Sequence, residues 1–290
     1  MITIFDRDGR LDWAGNERVI NRLIENGVNG ILFLGSIGEF FNLTQAEKQE
    51  FITFAVRTVA GRVPVLVGTG GTVVEEVVEL TQYSHQAGAD CAVVISPYYF
   101  KLDEASLYRY YAEVAERAGL PVLLYNFPDR TAVDMSPELV LRLAETFPNI
   151  VGIKDTVDNI SHTRKLIKTI KPKRPDFAIF SGFDEYLIPN LIAGGDGLIG
   201  GLSNLVPDLF ARLYRAYGEN DLDTVRSLQD RINGLMEIYD VSQPFVIAIK
   251  AAAAQVIPVL SPLARKPAGP LGNEGMERLQ GILGRAGLAG

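Results

Sequence analysis

Lys154 closes the run Asn149-Ile-Val-Gly-Ile-Lys154-Asp155-Thr156, and it is the residue of this sequence with the most chemistry to offer. The apolar, β-branched run predicts a buried strand. A lysine is seldom buried without a purpose, because taking an ammonium out of water is expensive. Burial favours the neutral amine, and a neutral amine attacks a carbonyl. The plainer alternative is a strand-end lysine that reaches solvent or pairs with Asp155.

Other apolar runs also end in reactive groups. One runs into Gly35-Ser36-Ile37-Gly38-Glu39, where glycines around a hydroxyl make a loop whose N–H groups can converge on an anion such as a carboxylate. Another ends in Ser96-Pro97-Tyr98-Tyr99, and a further one in Tyr125-Asn126-Phe127-Pro128-Asp129-Arg130. An amine, phenols, a serine, an anion-binding loop and a guanidinium together describe Schiff-base catalysis. The amine adds to a ketone, a phenol shuttles protons, and the iminium serves as electron sink for breaking or forming the neighbouring C–C bond. A carboxylate beside the ketone, held on the loop, makes the substrate a 2-oxo acid, with pyruvate the smallest enamine donor. Each residue also has a structural explanation: Tyr98 and Tyr99 as interface packing, Tyr125 as a core aromatic, Arg130 as a surface ion pair, Gly35–Gly38 as a plain turn.

The elements that must position these groups alternate. Apolar runs at 28–35, 63–69, 90–96, 121–126, 150–155, 177–181 and 196–200 are separated by amphipathic segments at about 13–26, 45–60, 74–87, 104–118, 137–146, 159–170 and 185–193. Thr44 with Glu47, and Ser136 before Pro137, mark helix starts, while Gly27, Gly88, Gly119 and Gly194 mark helix ends. Successive βα units predict an α/β fold with a parallel sheet. With Met1–Ile4 as a stub of an eighth strand, the units would close a (β/α)8 TIM barrel, whose chemistry sits at the C-terminal strand ends. Gly68-Thr-Gly-Gly71 does not complete the glycine fingerprint of a dinucleotide-binding turn and reads as a tight barrel loop. Beyond Gly200 only helices are predicted, at 207–217, 222–239, 244–255 and 274–283, with a Pro-rich connection at 258–270. The expected organisation is therefore a barrel over 1–220 and a C-terminal three-helix extension of the same unit over 221–290.

Composition narrows the chemistry. The chain has 290 residues, 47% hydrophobic and 22% charged, with a net charge of −7, an ordinary globular composition without a basic cluster for nucleic acid. No apolar run reaches membrane-spanning length, and the N-terminus lacks a signal-peptide pattern. Cys91 is the only cysteine, in an apolar run that predicts a packed, inert thiol and a reducing, cytoplasmic setting. His85 and His162 are the only histidines, far apart and outside any ligand cluster, and both are expected on solvated helix faces. Neither a metal nor an organic cofactor is expected.

The motifs Gly35-Ser-Ile-Gly-Glu39, Ser96-Pro-Tyr-Tyr99, Tyr125-Asn-Phe-Pro128, Gly152-Ile-Lys154-Asp-Thr156 and Ser181-Gly-Phe-Asp184 resemble, in order and spacing, the dihydrodipicolinate synthase/N-acetylneuraminate lyase family of pyruvate-dependent class I aldolases. The resemblance covers nearly the whole chain. It implies a TIM barrel, a Schiff base at Lys154, and Tyr125 as proton shuttle. It also implies Ser36 as the relay hydroxyl, and Tyr99 as the tyrosine that a neighbouring subunit inserts into the site of a dimer or tetramer. Gly35 and Ile37 would meet the pyruvate carboxylate, and Gly182 and Ile199 would line the pocket. The family usually has a full strand before the Thr-x-Phe segment, whereas only Met1-Ile2 precede Thr3, so a shortened first strand is expected.

For substrate, Lys154-Asp155-Thr156 resembles the 2-keto-3-deoxy sugar acid aldolases, in which the threonine faces substrate hydroxyls. Leu34–Phe40, Thr3-Ile-Phe5 and Gln243-Pro-Phe245 look like the same branch. Ile37 stands where dihydrodipicolinate synthases carry a second loop hydroxyl. Arg130 points the other way, matching the arginine that in those synthases holds the carboxylate of aspartate semialdehyde. The reading is a cofactor-free lyase yielding pyruvate and an aldehyde from a 2-keto-3-deoxy sugar acid. Its rivals are a synthase condensing pyruvate with aspartate semialdehyde, a dehydratase using the same Schiff base, and a non-catalytic keto-acid sensor.

Overall fold

A computed structural model describes residues 1–257 and 260–288. Pro258 and Val259, where the Pro-rich connection begins, and the last two residues of the expected extension lie outside the described residues. The chain forms two compact units, one of Met1–Leu43 with Gly201–Gly290, the other of Thr44–Gly200.

The first unit begins with an extended segment that is anchored without a strand ladder. The amino terminus of Met1 donates to the Leu32 carbonyl at 2.5 Å, and the N–H groups of Ile2 and Ile4 donate to the side chains of Asn204 and Asn16, both at 2.9 Å. The expected strand stub at Met1–Ile4 is thus not a strand, because asparagine side chains take the N–H groups a ladder would use. Helix α1 (Trp13–Glu25) follows, its first turn capped by Asp12, then strand β1 (Ile31–Phe33). Single helical turns at Ser36–Gly38 and Phe40–Asn42 shape the loop after β1.

The second unit carries the βα rhythm. In order it contains α2 (Gln45–Val59), β2 (Val65–Gly68), α3 (Val74–Ala87), β3 (Cys91–Ile95), α4 (Glu104–Arg117), β4 (Val122–Asn126), the short α5 (Pro128–Thr131), α6 (Pro137–Thr146), β5 (Ile150–Asp155), α7 (Ile160–Ile170), β6 (Ala178–Ser181), α8 (Leu187–Ala193) and β7 (Gly197–Leu198). Strands β2 to β7 pair in parallel and in chain order. Every residue of β3 and β4 is buried, as expected of a parallel sheet covered on both faces. The caps read from sequence are present: Thr44 and Glu47 form a reciprocal capping box, and Ser136 accepts from the Leu139 N–H. Gly88, Gly119 and Gly194 take φ of 93°, 77° and 97°, a left-handed conformation that glycine adopts without steric cost, so each helix turns back into the next strand.

The first unit closes with α9 (Pro207–Gly218), α10 (Leu222–Met236), α11 (Val246–Val256) and α12 (Asn273–Arg285). The molecule is an α/β protein with C-terminal helices, as the alternation predicts. Seven strands form among the described residues. Among the described residues, no helix is long and apolar enough to cross a membrane.

Candidate active site

In the second unit, β4 and β5 lie in register with Tyr125 opposite Lys154 and Asn126 opposite Asp155. Successive strand residues face opposite sides of a sheet, so Lys154 shares a side with Thr156 and Asp155 points the other way. Lys154 is only 8% exposed. Its Nζ sits 4.3 Å from the centroid of the Tyr125 ring and makes no hydrogen bond or ion pair among the described residues. Pairing with Asp155, the plainer alternative for this lysine, does not occur.

Asp155 is occupied elsewhere. Its Oδ1 accepts from Asn126 Nδ2 at 3.0 Å, and its Oδ2 accepts from Thr163 Oγ1 at 2.8 Å and faces His162 Nδ1 at 3.0 Å. His162 is therefore not the solvated helix residue its sequence context predicts. Its position in the first turn of α7 drops the ring onto the end of β5, and its side chain is only 11% exposed. Burial pulls the imidazole pKa down, but Asp155, Asp134 and the Met135 carbonyl outweigh that and hold it above its ordinary value.

The rim continues along β5, β6 and β7. Thr156 N–H donates to the Asn126 carbonyl at 2.8 Å, Gly182 N–H to the Asp155 carbonyl at 2.8 Å, and Ile199 N–H to the Ser181 carbonyl at 2.9 Å. Thr156 Oγ1 is buried and has no hydrogen-bond partner among the described residues. Gly182 lies so close that a Cβ there would fall 1.8 Å from this oxygen. Tyr125, Lys154, Thr156, Gly182 and Ile199 thus come together at the strand ends. Phe127 stacks on Tyr125 with ring centroids 5.9 Å apart, and the exposed Arg130 places its guanidinium 5.4 Å from the Phe127 ring.

Tyr99 is not part of this cluster. It is 88% exposed at the surface, with φ of 87°, and packs edge-on against the exposed Phe100. Ser96 is buried and hydrogen-bonded to Tyr111, whose hydroxyl burial pushes well above the usual phenol range. Cys91 is a buried free thiol, packed as expected, and burial raises its pKa to about 12.

Gly35, Ser36 and Ile37 belong to the first unit. Their loop is bracketed by two left-handed residues, Leu34 at φ 54° and Glu39 at φ 55°, and closed by the N–H groups of Gly38 and Glu39 bonding back to Gly35 and Ser36. Glu39 is fully buried and anchors the loop. Its Oε1 accepts from Lys250 Nζ of α11 at 2.6 Å, and its Oε2 accepts from the Arg265 N–H at 3.0 Å. The Arg265 guanidinium and Lys250 Nζ both lie against the Phe5 ring, at 4.5 and 4.3 Å. Lys250 is 1% exposed, and burial pulls its amine down to about 8 although Glu39 opposes the shift. Sequence reasoning missed this cluster, yet the signal was there: Lys250 interrupts Val246–Ala253 as Lys154 interrupts its strand. Lys250 is fixed in an ion pair; Lys154 is not.

A model of the dihydrodipicolinate synthetase family matches residues 1–286. The chain is 42% identical over 281 residues to the putative 2-dehydro-3-deoxy-D-gluconate aldolase YagE of Escherichia coli K12, covering 97% of this chain and 93% of that one. It is 44% identical over 246 residues to the probable 2-dehydro-3-deoxy-D-pentonate aldolase YjhH of the same strain, covering 85% and 82%. The crystal structure of YagE in complex with pyruvate superposes with a TM-score of 0.97 at 41% identity, covering 99% of this chain and 97% of that one.

Proposed function

We infer the function from the family to which this chain belongs, the dihydrodipicolinate synthetase family: it is a pyruvate-dependent carbon–carbon lyase that works through a lysine Schiff base. Its reaction is cleavage or formation of a 2-keto-3-deoxy sugar acid, with pyruvate and an aldehyde as the other side. The observation that carries the chemistry is Lys154 Nζ, buried at a strand end against Tyr125 and held in no ion pair among the described residues.

Lys154 adds to the ketone, and Tyr125 relays the proton as the carbinolamine loses water. The iminium then accepts the electron pair of the C–C bond one carbon removed. Tyr125 takes the proton from the hydroxyl that becomes the aldehyde. Protonation and hydrolysis of the enamine release pyruvate and restore the amine. We assign Ser36 to the proton relay and the Gly35–Ile37 loop to the substrate carboxylate, an assignment supported by the family motif. Thr156, with its unpartnered buried hydroxyl, is assigned to a substrate hydroxyl, and Gly182 and Ile199 to the pocket wall. The protein works as a homo-oligomer, dimer or tetramer, in which the exposed Tyr99 completes a neighbour's site, and its setting is cytoplasmic. The fold that goes with this reading is a (β/α)8 barrel over 1–220, with Met1–Ile4 in place of the first strand and 221–290 as its helical extension.

Borohydride trapping with pyruvate, followed by intact mass and peptide mapping, tests the chemistry. The expected adduct is on Lys154, and Lys154→Ala gives no adduct and no turnover; equal turnover by the variant would refute the assignment. A second reading, condensation of pyruvate with aspartate semialdehyde, is favoured by one residue, Arg130, positioned one ring away from Tyr125. Arg130→Ala should leave sugar-acid cleavage within about fivefold, since an exposed cation contributes roughly 1 kcal/mol or less. A loss confined to the condensation would establish the synthase instead.

A further inference from the structure

Each ring nitrogen of His162 faces hydrogen-bond acceptors. Nδ1 lies 3.0 Å from Asp155 Oδ2, while Nε2 lies 3.2 Å from the Met135 carbonyl and 3.3 Å from Asp134 Oδ1. A neutral imidazole has one N–H, so one of its sides would set a lone pair against an oxygen; only the imidazolium donates on both. The same three residues meet Asn126, whose Nδ2 donates to Asp155 Oδ1 and Asp134 Oδ1, both at 3.0 Å, and whose Oδ1 accepts from the Met135 N–H at 3.1 Å. Asn126 and Asp155 are opposed in register, one step along β4 and β5 from the opposed pair Tyr125 and Lys154.

We propose that His162, held as the imidazolium, is a positioning residue: it clamps Asp155 to the Asp134–Met135 segment, and through Asn126 and the strand register fixes Tyr125 against Lys154. This rests on the reading that Lys154 and Tyr125 carry the chemistry. The charged groups that face the ring are Asp155 from β5 and Asp134 from the segment before α6. Loss of the ring proton leaves an acceptor facing an acceptor, and the clamp loosens. The raised pKa fits: a base whose pKa rises on folding stabilises fully below its ordinary value of 6.5, and that contribution is lost as pH rises through the folded value. Turnover is therefore expected to fall on an alkaline limb governed by a group that touches no substrate.

The test is a pH profile of kcat for cleavage of 2-dehydro-3-deoxy-D-gluconate by the full-length protein, run beside a ring-proton NMR titration. Only His85 and His162 contribute histidine signals, and His162→Gln assigns them. The His162 ring should titrate above 6.5, at the midpoint of the alkaline limb. His162→Gln should lose the limb and about tenfold in kcat, with KM within about twofold, as expected for slightly misplaced catalytic groups. Asp134→Asn keeps the ring in place while removing one facing carboxylate, so the NMR midpoint and the limb should move to lower pH together; this variant decides the matter if His162→Gln does not fold. A ring titrating at or below 6.5, a His162→Gln profile that superposes on wild type, or a limb unmoved in Asp134→Asn would overturn the clamp. Trapping separates the two ideas: an adduct away from Lys154 refutes the catalytic premise, whereas an adduct on Lys154 with a limb that ignores His162 refutes the clamp alone.

Discussion

The contrast between Lys154 and Lys250 shows what burial of a lysine does and does not imply. Both interrupt apolar runs and both are buried, but Lys250 donates to Glu39 at 2.6 Å while Lys154 meets only an aromatic face. Such a face is a weak partner for a cation, on the order of 1 kcal/mol, and leaves the amine available to a carbonyl. Thr156 carries a similar argument for its hydroxyl. An unsatisfied buried hydroxyl costs about 1–3 kcal/mol in the folded protein, and Thr156 bears that cost two residues along the chain from Lys154. Thr156→Val should leave the melting temperature unchanged or raised, while kcat/KM for sugar-acid cleavage falls about tenfold, the equivalent of roughly 1.4 kcal/mol. A variant that cleaves at the wild-type rate would remove the threonine from substrate recognition.

At the level of elements, register does the positioning. The β4–β5 pairing sets Tyr125 beside Lys154, the twofold alternation turns Asp155 away, and the next strand supplies Gly182 against Thr156. The glycine is a requirement of close approach, since any Cβ would collide with the Thr156 hydroxyl. Gly182→Ala should cost about 1–3 kcal/mol, as overpacked sites do. It should also impair sugar-acid cleavage far more than borohydride trapping of pyruvate at Lys154, because the clash displaces Thr156 and leaves the amine in place. Equal losses in both assays would mean that the whole end of β5 had shifted. Its neighbour β4 is tied by Asn126 to the segment before α6, so the two strands share one hydrogen-bonded junction with α7.

At the scale of the whole chain, the first unit is organised around long-range polar contacts. Glu39 and Lys250 are 211 residues apart, and both side chains are fully buried. Removing one partner of a buried pair strands the other charge, a loss of about 3–5 kcal/mol. Lys250→Met should lower the unfolding free energy measured by urea titration by that amount, and Lys250→Met with Glu39→Gln should recover part of it. A single variant as stable as wild type would refute the idea that Glu39 depends on Lys250, and would leave the Arg265 N–H as its sufficient partner. The alternation of strands and helices, the caps and the strand-end residues were legible in the sequence because they follow from local periodicity and from the backbone demands of glycine and the capping side chains. Lys154 and Tyr125 were legible for the same reason, since each lies at the end of an apolar run, whereas Thr156 and Gly182 were picked out by the family resemblance. The anchoring of Met1–Ile4 on asparagine side chains, the ion pair of Lys250 and the charge on His162 were not. Each depends on which distant group is the partner, and a buried side chain's protonation and role follow from that partner rather than from its neighbours in sequence. The sequence by itself therefore determined which groups stand at the strand ends, while the tertiary structure decided which buried lysine is left unpaired and what holds Asp155 away from it.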